Sequence, residues 1–141
     1  MHLDRRFEVP ASRQACAAVL AEDEILTRLF PDAQSEIVER SEGHKTVVSH
    51  YRALGQEGEA TFHFDFERDG NLHFSKVCDG RVWKQLDGTV RLDERGGRTR
   101  VTLEMDGQTK ALVPEFTIRG PMNQQIEQMT RALRRRLEAL S

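Results

Sequence analysis

The C-terminal segment constrains the fold more than any other part of this chain. Met122, Ile126, Met129, Leu133, Leu137 and Leu140 recur at steps of four and three. At about 3.6 residues per turn they share one face of a helix about five turns long. Gln124, Glu127, Arg131, Arg134, Arg135 and Glu138 take the opposite face. Pro121 suits the first turn of such a helix, where its missing N–H would have had no partner. A helix with one long apolar stripe gains most of its stability from a second apolar surface packed against it. The remainder of the chain must supply that surface.

It does so with a period of two. Ala60, Phe62, Phe64 and Phe66 alternate with Thr61, His63, Asp65 and Glu67, the pattern of a strand with one apolar face. His2 to Val9 reads as a strand with Leu3, Arg5, Phe7 and Val9 on one side, stopped by Pro10. Ser12 is then an N-cap for a helix through Gln14 to Leu20. A second short helix runs from Glu22 to Phe30, with Ile25, Leu26, Leu29 and Phe30 on one side, and ends at Phe30-Pro31-Asp32. Further strands are expected over Ser35 to Arg40, Lys45 to Leu54, Leu72 to Cys78, Val82 to Leu92 and Thr99 to Met105. Turns fall at Gly43, at Gly55 and Gly58, at Asp69-Gly70-Asn71, at Asp79-Gly80 and at Gly96-Gly97. Segregated helices and strands predict an α+β fold with an antiparallel sheet of about six or seven strands.

With 141 residues the chain is read as one domain over residues 1–141. A net charge of −2 argues against a general nucleic-acid binder. No apolar run approaches the ~20 residues of a membrane span. The opening Met-His-Leu-Asp-Arg-Arg-Phe lacks the apolar core of a signal peptide, so a cytoplasmic location is expected. Cys16 and Cys78 match no metal or redox spacing and are read as reduced thiols. The histidines His2, His44, His50, His63 and His73 show no HExxH or close ligand pair, so no metal and no cofactor is expected.

Several short stretches then carry a resemblance. They are Phe7-Glu8-Val9-Pro10-Ala11-Ser12, Ala18-Val19-Leu20-Ala21, Leu29-Phe30-Pro31, Leu86-Asp87-Gly88-Thr89-Val90-Arg91-Leu92 and Gly97-Arg98-Thr99-Arg100-Val101-Thr102. In this order and spacing the chain resembles the START-like or Bet v 1-like (SRPBCC) helix-grip superfamily. Within it, the chain looks most like the polyketide cyclase/dehydrase and coenzyme Q-binding group. The resemblance implies a curved sheet wrapped around the long C-terminal helix, two short helices after the first strand, and a cavity for an apolar ligand such as a lipid, polyketide or quinone. Two departures replace bulk with smaller groups. Cys16 stands where relatives often carry a tryptophan or another large residue, and Val90 where a tryptophan often follows the Leu-x-Gly element. The family has no universal catalytic set, so no catalytic residue carries over.

The expected ligand-binding lining combines both readings. It comprises Phe62, Phe64, Phe66 and Phe74, then Leu86, Val90 and Met105, and from the last helix Met122, Ile126 and Met129. Strict alternation also puts Lys76 with Leu72, Phe74 and Cys78, and Lys84 with Val82, Leu86 and Val90. An inward ammonium is costly unless it snorkels or pairs, so both lysines are candidates to bind a ligand carboxylate or enolate. For cyclase chemistry the acid/base candidates are His50, Tyr51 and Glu104. Three functions follow: a non-catalytic binder of an apolar small molecule, an aromatase/cyclase-type enzyme, and a ligand-free interaction or regulatory module. A homodimer stays open. Asp93-Glu94-Arg95 and Arg134-Arg135-Arg136 read as solvated charge runs, the arginines suiting the negative end of the helix dipole.

Overall fold

The computed structural model describes residues 1–29, 33–53, 56–78 and 82–140. Strand β1 (His2–Val9) leads into helices α1 (Arg13–Leu20) and α2 (Asp23–Arg28). Strands β2 (Ala33–Ser41), β3 (His44–Ala53), β4 (Gln56–Phe66), β5 (Leu72–Lys76), β6 (Trp83–Arg95) and β7 (Arg98–Thr109) follow, and helix α3 (Phe116–Glu138) ends the fold. The seven strands form one sheet in the order β1-β7-β6-β5-β4-β3-β2. Every pairing is antiparallel. The architecture is the expected helix-grip fold. No helix among the described residues is long and apolar enough to cross a membrane.

Local chemistry explains the starts and stops. The Ser12 hydroxyl accepts a 3.1 Å bond from the Ala15 N–H and caps α1. Gly70 takes a φ of 91° in the β4–β5 turn, and Gly96 and Gly97 take 60° and 79° between β6 and β7. Side chains other than glycine avoid that region. The expected stop at Phe30-Pro31-Asp32 and the turns at Gly55 and Asp79-Gly80 lie outside the described residues.

Helix α3 begins earlier than its composition indicates. Pro121 lies well inside it rather than in its first turn. It withholds a backbone hydrogen bond there, a cost of about 3 kcal/mol in a helix interior. Met122, Ile126, Met129, Leu133 and Leu137 are all buried along the same helix. At about 2 kcal/mol each, their burial contributes on the order of 10 kcal/mol and outweighs the proline. Leu140 falls beyond the helix and is exposed. The nearest backbone neighbours of α3 are β1, α1 and α2, so side chains span the distance to the central strands.

Three expectations about strand positions need correction. Gly58 is not a turn glycine; it sits within β4 opposite Tyr51. A Cβ there would lie 2.5 Å from the Tyr51 ring, so the glycine serves close approach. Lys84 and Val82 do not face inward. A register irregularity between Trp83 and Gln85 breaks the alternation, buries Trp83 and turns Lys84 outward. Phe66 is only half-buried, with the Lys45 ammonium 5.6 Å from its ring centre.

Candidate functional site

The register arranges the inward side chains in rows across the sheet. One row runs Phe66, Leu72, Val90, Leu103, Arg5. The next runs Lys45, Phe64, Phe74, Gly88, Met105, Leu3. Beyond it lie Val47, Phe62 and Lys76, with Leu86 opposite Gly107 on the neighbouring strands. Ser35, Ser49 and Ala60 make a further row, and Ala33, Tyr51 and Gly58 the last.

The middle of these rows is apolar, and polar side chains sit at their margins, with Arg5 and Lys45 at the ends of the first two. Phe64, Phe74, Leu72, Val90 and Leu103 are at most 1% exposed and form the floor. Phe62, Leu86 and Met105 continue it and are also buried. Met122, Ile126 and Met129 face it from α3. At the far end the Ser35 and Ser49 hydroxyls bond to one another at 2.7 Å. Lys76 is half-buried directly opposite Phe62, and Tyr51 is exposed at the margin. The two serines satisfy one another and Lys76 reaches the margin, so polar groups beside an apolar floor suit a molecule with one polar end.

Two glycines shape the floor. A Cβ on Gly107 would lie 2.5 Å from the Trp83 ring, and one on Gly88 would collide with the Phe74 ring and the Glu104 carbonyl. Each ring therefore folds back over the adjacent strand instead of standing upright.

The candidate lining is thus largely brought together. Phe62, Phe64, Phe74, Leu86, Val90, Met105, Met122, Ile126 and Met129 are all buried on the facing surfaces of sheet and helix. Phe66 sits under Lys45, Lys76 lies beside Phe62 at the margin, and Lys84 is on the outside. The three acid/base candidates separate. His50 is half exposed on the convex face near Glu36 and Glu59. Glu104 is also on that face, paired with Arg91. Only Tyr51 shares the concave face. Sequence reading passed over Ser35, Ser49 and Trp83. Strand alternation with Val47 signals Ser49, but nothing in the composition signals that a tryptophan rather than its neighbours turns inward at a bulge.

A concavity of 640 Å³ lies between α2 and the C-terminal half of α3. Ile25, Leu29 and Ala132 give it apolar walls, Arg135 and Arg136 line one side, and Ala33 reaches its edge. Arg136 is held 2.9 Å from Glu22. Because Ala33 is the register partner of Tyr51, this groove abuts the polar end of the concave face.

No family model and no curated protein matches the sequence. Solved structures match in fold. A START superfamily protein from Mycobacterium smegmatis superposes with a TM-score of 0.76 at 17% identity, covering 99% of this chain and 99% of that one. The Zhui aromatase/cyclase from Streptomyces sp. R1128 gives 0.74 at 19%, covering 94% and 87%. The STAR-related lipid transfer protein from Xanthomonas axonopodis gives 0.67 at 17%, covering 96% of this chain and 85% of the crystallised fragment. The chain therefore has the START/Bet v 1-like fold.

Proposed function

We propose that this protein binds a hydrophobic small molecule with one polar end, without transforming it. The observation that carries this reading is the phenylalanine floor of the concave face, with Lys76 beside Phe62 and the Ser35–Ser49 pair one row further on. The apolar body of the ligand lies between Phe62, Phe74 and Met105 below and Met122, Ile126 and Met129 above. Its anionic or oxygenated end meets Lys76. The groove at Ala33 supports entry from the α2–α3 side. The fold shared with a lipid transfer protein and an aromatase/cyclase supports the ligand class, although fold alone does not assign function. An aromatase/cyclase activity is the second reading, favoured by Tyr51 on the concave face; it would need Tyr51 as its acid.

Binding of a fluorescent fatty acid and of the matching fatty alcohol tests the proposal. The wild-type protein takes up both, and native mass spectrometry finds one molecule per chain. Lys76→Ala weakens the acid about tenfold, the loss of one charge-assisted contact, and leaves the alcohol unchanged. Lys84→Ala changes neither. Absence of uptake of either probe overturns the reading, and equal effects of the two lysine variants overturn the role of Lys76.

A further inference from the structure

The convex face of the sheet holds a group of side chains that ligand binding does not use. His44 and Thr46 on β3 lie opposite Asp65 and His63 on β4. The Asp65 carboxylate is 2.7 Å from His44 Nδ1. The other ring nitrogen, His44 Nε2, is 3.3 Å from His63 Nδ1. Thr46 Oγ1 completes a triangle, 3.3 Å from His44 Nε2 and 3.2 Å from His63 Nδ1. Thr46 is 6% exposed, and both histidines are half-buried. The two rings are inclined at 27° with centres 5.3 Å apart.

Those edges have a chemical meaning. Zinc binds imidazole nitrogen at about 2.0–2.1 Å in a tetrahedron, which spaces its donor atoms by about 3.3–3.4 Å. The triangle has the size of one face of that tetrahedron. Metal-bound histidines commonly donate their second ring N–H to a carboxylate, which fixes the tautomer. Asp65 stands in that place for His44. With Nδ1–H donated to Asp65, the Nε2 lone pair points toward the triangle. In the metal-free protein the Thr46 hydroxyl and a His63 Nδ1–H supply hydrogen bonds to it; with a cation bound, His63 carries its proton on Nε2 instead and the Thr46 hydroxyl keeps its proton, turned outward.

We infer that His44 and His63 bind a divalent late first-row cation of the zinc class on the convex face, with Thr46 at the third corner. Asp65 acts as the positioning group. Imidazole donors suit zinc, nickel and copper, whereas magnesium and calcium prefer oxygen sets. A second histidine–carboxylate group, His2 with Glu104 and Asp106, brings its ligand atoms within 4.8 Å. Its Glu104 is already held by the Arg91 guanidinium, whose charge opposes a cation. That group serves as the internal control.

The test uses untagged protein stripped with a chelator, titrated with Zn²⁺ by calorimetry and with Co²⁺ by visible absorption. One zinc binds per chain, and Co²⁺ gives the intense absorption of a tetrahedral site. His44→Ala and His63→Ala each weaken binding about tenfold or more, and Asp65→Asn weakens it by roughly ten- to a hundredfold. His2→Ala leaves it unchanged. Circular dichroism reports folding of each variant, and His63→Gln replaces His63→Ala if the latter does not fold. Absence of binding at millimolar metal overturns the inference. So does binding that survives His63→Ala or His63→Gln, or that is lost in His2→Ala.

Discussion

Cys16 shows how position rather than residue type decides reactivity. It lies in α1 with no exposure, and burial raises its thiol pKa, with Thr99 bonding in the opposing direction. The thiolate is the reactive form, so burial removes both access and ionisation. Cys78 is half-buried and also free. A thiol reagent at neutral pH is therefore expected to modify Cys78 in the native protein, and Cys16 only as fast as the chain unfolds. Equal rates for the two would contradict this placement. At this scale the sequence was legible wherever a residue obeyed strict alternation, as Phe62, Phe64 and Phe74 do. Lys84 was not, because an irregularity next to Trp83 reverses its direction, and no composition marks such a site. His44 and His63 were hidden for another reason. They are 19 positions apart, and only the β3–β4 register makes them neighbours.

Among the elements, α3 was the most legible and its start the least. The apolar stripe from Met122 to Leu137 is a matter of spacing, which any helix must obey. The start was misplaced because proline prefers a first turn, and packing overrode that preference. The helix continues through Gly120 and Pro121, where the missing Cβ of Gly120 eases the clash that proline imposes on the residue before it. Pro121→Ala restores an N–H that can reach the Thr117 carbonyl. The gain of about 3 kcal/mol is reduced by about 0.4–1 kcal/mol of extra freedom in the unfolded chain. Urea unfolding should show a net stabilisation of about 2 kcal/mol. An unchanged or lower stability would mean that the first turn of α3 adds nothing to the fold.

The whole molecule is tied together at Asp23, the first residue of α2. Its carboxylate lies 2.6 Å from Arg40 on β2 and 2.8 Å from Lys45 on β3. The Arg40 bond, followed by Lys45, lowers its pKa from 3.8 to about 2. A carboxyl depressed by folding adds stability at pH values above its unfolded pKa, and that stability is lost as pH falls through the folded value. The wild-type unfolding free energy should therefore fall between about pH 4 and pH 2, and Asp23→Asn should flatten the curve in that window. Identical slopes in the two proteins would exclude Asp23 as the group responsible. Because the carboxylate is solvent-exposed, the loss at neutral pH should be small.

The strand order has one more consequence, which is colloidal. β1 and β2 are the two edges of the sheet, and an edge offers unpaired backbone groups to any extended chain nearby. Both edges carry deterrents. Exposed Asp4, Arg6 and Glu8 line β1, and exposed Glu36, Glu39 and Arg40 line β2. The β2 edge is further kinked where its register shifts between Ile37 and Glu39. Sheet-to-sheet growth into fibrils would bring these charges together on a bent backbone. Self-association of this chain by that route is disfavoured at both ends of the sheet.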